Sequence, residues 1–410
     1  MSDIIRIGQE LEVLLVDAST GFLLPSAPTI LADPRMTRGG KLLAKDEAAR
    51  EQLELISHPA TTIDSLAEDL LEKILVTEEV ARTYGVTLVP GSVVGVHEIT
   101  RTCGPGEDRL TTYDELMQDP EQTDRLGKIC GLHTHISRIP GKETEQYNFM
   151  LGLDPLFAFS STTPVDDYGQ NSVNNSRVRR VRYDIGRNAE GTFLDGILPQ
   201  YISDLQELEF RDRTRLKSWE EILLKNDGTM KLFYERCRED NTGYHPLRSR
   251  PHLAPYGTYE ARSADAVPLD VTLGIAAAYF GANKRLLEDI PLEIATENDH
   301  YFFGDNRVIL PSFNTLRELE QEAINKGLRS EKVHDYLRAI LHFSEPGLDQ
   351  IDRQYLEPLQ RMLDSKQNYA NQIMNFLRGE LGYQEGTVNP EMGAAVHLFL
   401  ADKFQESYRH

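Results

Sequence analysis

Four short stretches of this 410-residue chain place acids, imidazoles or guanidinium groups two residues apart against an apolar background. In IGQELEVLLVD, residues 7–17, Glu10 and Glu12 share one strand face with Leu14 and Val16, while Gln9, Leu11, Val13 and Leu15 share the other. Two like charges at the mouth of a face that then turns apolar repel one another and lose water. That raises at least one pKa unless a cation or an arginine sits between them. The same spacing recurs in EQLELIS with Gln52 and Glu54, in GLHTHIS with His133 and His135, and in GTYEARSAD with Glu260 and Arg262. Each stretch alone has an ordinary reading as rim glutamates, core histidines or a cross-strand ion pair. Four strands that can pair predict one polar, concave sheet surface carrying Glu10, Glu12, Glu54, Glu260, His133, His135 and Arg262. Four carboxylates with one or two imidazoles suit Mg²⁺ or Mn²⁺ better than zinc, which favours thiolates and several histidines.

A second source of chemistry is the run NNSRVRRVRYDIGR, with Arg177, Arg179, Arg180, Arg182 and Arg187 within eleven residues. The whole chain has a formal charge of −21, so this is a local reversal of sign. Guanidinium groups bind carboxylates and phosphates bidentately, which fits a lid over an anionic substrate or nucleotide; intersubunit ion pairs are the plainer use. The overall acidity argues against nucleic acid and against anionic membranes as partners. The start, MSDIIRIGQE, lacks an apolar stretch behind a basic leader, and no window approaches about eighteen consecutive apolar residues, so a cytoplasmic protein is expected. Cys103, Cys130 and Cys237 are odd in number and widely spaced, which predicts reduced thiols, with Cys130 in the core.

These side chains need a frame. Residues 62–85 carry Leu66, Leu70, Leu71, Ile74, Leu75 and Val80 at helical spacing and end on Gly85, which predicts a helix. VTLVPGSVV after it reads as a strand, and DASTGFLLP after the first strand reads as a turn into a second short one. Polar, Gly-bearing segments at about 100–126 and 162–200 are long enough to be functional loops. From Val267 onward the texture is helical, including the single long run DRQYLEPLQRMLDSKQNYANQIMNFLRGEL. The residues allow one large or two ordinary domains of the α+β class, with a concave sheet surface backed by helices and a mainly helical part at about 267–410; the family resemblance drawn next implies a single domain over 1–410 with a curved antiparallel sheet.

On these motifs the chain resembles glutamate-cysteine ligase family 2, the carboxylate-amine ligases of the glutamine synthetase-like superfamily. GQELEVLLVD stands for the family's G-x-E-x-E-x-x-L-V-D, Gln52 and Glu54 for its Q-x-E, and GLHTHIS for its G-x-H-x-H. LDPLFAFSSTTP followed by NSR stands for a serine-rich segment ending S-x-R, and GTYEARSAD for G-T-x-E-x-R-x-x-D. The chain departs from the pattern at GSVVGVHE and DDYGQNSVNN, where the amine and acid substrates are expected, so the acceptor amine stays open.

The resemblance implies a glutamine synthetase-like catalytic sheet and ATP-dependent formation of an amide, γ-glutamyl by preference, through an acyl phosphate. It implies that Glu10, His133 and Glu260 hold one Mg²⁺ against the nucleotide phosphates and that Glu12 and Glu54 hold another near the acid substrate. Mn²⁺ is the alternative metal. Arg262 would neutralise the γ-phosphate in transit, Arg177 would clamp a substrate carboxylate or phosphate, and His135 would lie beside the nucleotide. Small amino acids and ATP are the implied partners, and a homodimer the implied assembly. A phosphagen-kinase-like phosphotransferase and a non-catalytic nucleotide- or amino-acid-binding relative stay open as alternatives.

Overall fold

The structure is a computed structural model that describes residues 5–101, 114, 120–164, 196–225, 245–253, 257–296 and 300–409, without the side chains of 120–122. Arg177 and its neighbouring arginines, Cys103 and Cys237 lie outside the described residues.

β1 (Ile7–Asp17) is the strand on which the main sheet is built. Its burial alternates up to Glu12 and is then continuous from Val13 to Val16, which is the two-sided apolar pattern of a strand entering a core. β2 (Thr37–Arg38) and β3 (Lys41–Leu42) form a separate hairpin. The main sheet adds β4 (Ala44–Asp46), β5 (Gln52–Ile56), β6 (Val86–Pro90), β7 (Gly131–Ser137), β8 (Leu247–Arg250) and β9 (Thr258–Asp265). Its seven strands run in the order β4-β5-β1-β7-β9-β8, with β6 also on β1, and every pairing is antiparallel. The α+β class read from sequence therefore holds, with an antiparallel sheet backed by helices.

One edge of β1 serves two partners in succession. β7 pairs along Ile7 to Leu11 and β6 along Val13 to Asp17, so the sheet forks at Glu12. The continued ladder would set Gly131 against Glu12; instead the Gly131 N–H donates to the Glu12 carboxylate at 2.5 Å. Gln52 secures the fork by donating from Nε2 to the Ile129 carbonyl at 2.9 Å. Cys130 is buried beside it, as expected for a core thiol.

Helices back this sheet. The predicted helix over 62–85 appears as Ile63–Thr83, with Thr62 as its N-cap. Asp352 accepts from the Ile63 and Asp64 N–H groups at 3.0 Å each, which satisfies two free donors at the helix start and ties it to the C-terminal part. The helix Leu269–Leu286, LDVTLGIAAAYFGANKRL, is apolar on nearly every side and correspondingly buried. Gln9, on the back of β1, donates from Nε2 to the Thr272 carbonyl at 3.0 Å, so the site strand is bonded directly to this helix. Small residues allow close approach on its far side: a Cβ on Gly281 would lie 2.3 Å from the Ser344 carbonyl oxygen.

Several elements differ from the sequence reading. DASTGFLLP leads to an isolated bridge between Val16 and Leu23 and then the short helix Ala27–Leu31, in place of a strand. The unread stretch after residue 200 forms the helix Leu205–Lys225, whose buried residues Leu208, Arg215, Trp219 and Leu223 are sparse among charges. The C-terminal part is not wholly helical, because β10 (Leu292–Ile294), β11 (Phe302–Phe303) and β12 (Val308–Leu310) make a second small sheet. The long helical run after Asp352 also breaks, with Lys366 in the left-handed region at φ 52° and Asn368 capping a new helix, Tyr369–Gly379.

The close approach at Gly281 yields a stability prediction. Gly281→Ala must push the helix Leu269–Leu286 away from Ser344, and is expected to lower the unfolding free energy by about 1–3 kcal/mol in urea titrations. An unchanged midpoint would contradict this packing.

Candidate functional site

Register brings the sequence-selected side chains into rows across the sheet. Glu54 on β5 pairs with Glu12 on β1, and Lys45 on β4 pairs with Glu54. Glu10 pairs with His133 on β7, and His135 pairs with Glu260 on β9, which pairs with Arg248 on β8. A register shift between Leu132 and Thr134 gives β9 one residue more than β7, so the span opposite His133 holds both Arg262 and Ser263. Ser263 donates to Asp154 at 2.5 Å, while Arg262 contacts the Glu260 carboxylate.

Seven of the eight candidates thus converge, and Arg177 lies outside the described residues. Two donor sets share His133. Glu10, His133 and Glu260 offer ligand atoms all within 4.8 Å of one another, and so do Glu12, Glu54 and His133. His133 Nδ1 is 3.1 Å from Glu10 and 3.9 Å from Glu260, while Nε2 points the other way, 3.8 Å from Glu12. Nε2 is buried and makes no hydrogen bond.

The electrostatics show what the assembly costs without a cation. Burial pushes the Glu54 carboxyl well above its ordinary range, and the negative charges of Glu10, Glu47 and Glu12 push it further, with Lys45 at 3.8 Å a partial offset. Burial acts the same way on Glu10, but hydrogen bonds and charge from His133 and His135 outweigh it and hold this carboxyl low. Glu260 is also held low: burial opposes ionisation, and Arg262, Arg248 and His135 overcome it. Burial, helped by the nearby Arg262 charge, pulls His133 down to about 4. His135 goes up, because Glu10 and Glu260 more than offset its desolvation. A neutral imidazole among ionised carboxylates is the protonation state that metal ligation requires.

Oxygen-rich donors, a neutral histidine and a buried unpartnered ring nitrogen fit a divalent cation of the Mg²⁺ or Mn²⁺ kind at each set. A third triad, Glu331, His334 and Asp335, lies at the start of the helix Glu331–Ser344, where His334 Nε2 is spent on the Leu363 carbonyl at 3.2 Å.

Sequence reading missed three contributors. Arg248 and Arg250 stand on β8 with guanidinium nitrogens 3.8 Å and 3.4 Å from Glu260; their i, i+2 spacing in LRSR was the available signal. Gly131, though seen on this face, acts through absence of bulk, since a Cβ there would sit 3.2 Å from His133 Nε2 and 3.5 Å from Glu12.

Comparisons with known proteins bear on the fold and the family of the chain. Its fold is shared with the glutamate–cysteine ligase of Francisella tularensis solved in complex with AMP, at TM-score 0.56 and 14% identity, covering 100% of this chain and 90% of that one. The chain belongs to glutamate-cysteine ligase family 2, whose model matches residues 6–393. A candidate glutamate–cysteine ligase 2-1 of Nocardioides sp. is 26% identical over 32% of this chain, and a candidate glutamate–cysteine ligase 2 of Gloeobacter violaceus is 25% identical over 40%. The chain spans 35% and 45% of the length of these relatives in the matched stretches. Among the described residues no helix is long and apolar enough to cross a membrane.

Two predictions arise from the site. Glu54 must lose its proton to ligate a cation, whereas His133 is already neutral above about pH 4. Protons and metal therefore compete: Mn²⁺ affinity is expected to rise with pH through the raised Glu54 range and binding to release protons, read by calorimetry in buffers of different ionisation enthalpy. A pH-independent affinity without proton release is the contrary result. Gly131→Ala is expected to weaken Mn²⁺ binding severalfold while leaving the thermal midpoint nearly unmoved; equal Mn²⁺ affinity would show that the space beside His133 is not needed.

Proposed function

We propose that the protein is an ATP-dependent carboxylate–amine ligase that joins an amino acid, glutamate by the family's pattern, to an amine through an acyl phosphate. The observation that carries this reading is the pair of cation-suited donor sets meeting at His133, with Arg262 on the same face. Family membership supports it, as does the nucleotide bound to a ligase of like fold.

A carboxylate resists attack by amines because of its resonance and its charge. One carboxylate oxygen of the acid attacks the γ-phosphorus, the bond to the β-phosphate oxygen breaks, and ADP leaves. The amine nitrogen then attacks the acyl carbon, inorganic phosphate departs, and the nitrogen loses a proton. Mg²⁺, or Mn²⁺ in its place, supplies charge neutralisation at the phosphate and carboxylate oxygens.

The chain's own groups do the positioning. Glu10, His133 and Glu260 would hold one cation on the nucleotide side, and Glu12 and Glu54 would hold another on the acid side. Arg262 neutralises the γ-phosphate in transit, His135 borders the nucleotide, and Arg177 clamps an anionic group of a substrate. Glu260 keeps Arg262 fixed before substrate arrives, so little reorganisation is left for the transfer itself. ATP and small amino acids are the partners in this reading, with homodimeric assembly and a cytoplasmic location.

The test is incubation with ATP, Mg²⁺, glutamate and a panel of amines, followed by assay of inorganic phosphate and mass spectrometry of the product. A new amide formed in step with phosphate is expected, and Glu12→Gln or Glu260→Gln should cut the rate by about a hundredfold or more. A phosphorylated amine without free phosphate would identify a phosphotransferase instead, and ATP turnover unaffected by both substitutions would sink the assignment.

A further inference from the structure

The helix Leu269–Leu286 packs on the back of the sheet, and beside its first turn lies a cavity of about 220 Å³. Its other walls are the helix Glu357–Ser365, the break that follows it, and the start of the helix Tyr369–Gly379. The proposed ligase chemistry makes no use of this space. Pockets for drug-sized ligands run to roughly 300–1,000 Å³, so the occupant suited here is smaller than those.

Polar groups on the walls have bonding capacity unused. Asp270 accepts from the Val271 N–H at 2.9 Å, and among the described residues no cation pairs with its carboxylate. Burial pushes this carboxyl up, against the pull of its own helix N–H groups and of the Arg361 charge. Arg361, on another wall, reaches only Glu357, at 3.7 Å, in an exposed ion pair of a kind that contributes little. Tyr369 is 7% exposed, and among the described residues its hydroxyl makes no hydrogen bond. Burial raises its pKa and the charges of Asp270 and Glu406 add to this, which puts the hydroxyl close to the Asp270 carboxylate. A buried polar group left in this way is costly unless something supplies its bond.

The signs select the ligand. A simple anion is repelled by Asp270 and a simple cation by Arg361, whereas a compact zwitterion satisfies both, its ammonium on the carboxylate and its carboxylate on the guanidinium. The amides of Gln367 and Gln372 complete the lining and offer donors and acceptors to a short side chain. We propose that this cavity binds a free α-amino acid, with Asp270 and Tyr369 taking the ammonium and Arg361 the carboxylate. The site is separate from the face that carries Glu10 and His133, because its helix meets β1 from the reverse side through Gln9. It therefore stands independently of the ligase reading.

Calorimetric titration of the full chain with the common L-amino acids, without ATP or metal, tests this, and the N-acetyl and carboxamide forms of the best binder are titrated in parallel. Saturable binding of at least one amino acid is expected, weakened by about tenfold or more in Asp270→Asn and in Arg361→Gln and severalfold in Tyr369→Phe. Each blocked form lacks one charge and should lose a comparable amount. Arg361→Gln alters an exposed side chain, so it reads the site even where Asp270→Asn disturbs folding. Absence of saturable binding by the native chain overturns the proposal, and so does binding that Arg361→Gln and Asp270→Asn leave unchanged.

Discussion

The mutual repulsion of Glu10, Glu12, Glu54 and Glu260 on one sheet face is the constraint around which the rest of the molecule is arranged. Carboxylates this close lose part of their hydration and gain each other's charge, both of which disfavour ionisation. The fold opposes that with permanent countercharges on one flank, where Arg262, Arg250 and Arg248 surround Glu260. In the middle it uses imidazoles, and near Glu54 it leaves the strain largely standing. The face thus runs from compensated acid at Glu260 to uncompensated acid at Glu54. The arginines of this face are gathered on its β8–β9 flank, a local reversal of sign in a chain of formal charge −21.

Holding such a surface requires a rigid back. β1 is hydrogen-bonded to three other strands, and its reverse face reaches through Gln9 to a helix with hardly any solvent contact. The fork at Glu12 adds a local device: where β7 stops pairing, a backbone donor is released to the Glu12 carboxylate. The bulge in β9 sets Arg262 beside the histidine that both donor sets share. Both are small irregularities in an otherwise regular ladder, and both fall where the chemistry is concentrated.

Much of this was legible because strands have a period of two and polar residues in apolar strands stand out. Glu10, Glu12, Glu54, His133, His135, Glu260 and Arg262 share a face for that reason alone. The rows they form were not legible, since pairing Glu12 with Glu54 or His135 with Glu260 depends on contacts between distant segments. Arg248 and Arg250 escaped notice because LRSR has only one apolar residue to mark its inner face. The helix Leu205–Lys225 was hidden by the charges scattered among its few buried positions, and the strands between Leu292 and Leu310 are too short to show alternation. The break at Lys366 left no trace because a lysine, rather than a glycine, takes the left-handed conformation there. The roles of Arg177 and its neighbours belong to residues outside those described.

The position of β1 in the chain has a consequence for biosynthesis. The strand is made well before its β7 partner, which begins at Gly131, and the sheet is closed only when Asp265 has been made. At typical translation speeds β7 follows roughly ten seconds later; β5 and β6 are made before it, and for that interval the Ile7–Leu11 edge of β1 lacks its partner. Nascent chains of this protein are therefore candidates for chaperone capture, and slowing translation between β1 and β7 would lengthen the period in which they can aggregate.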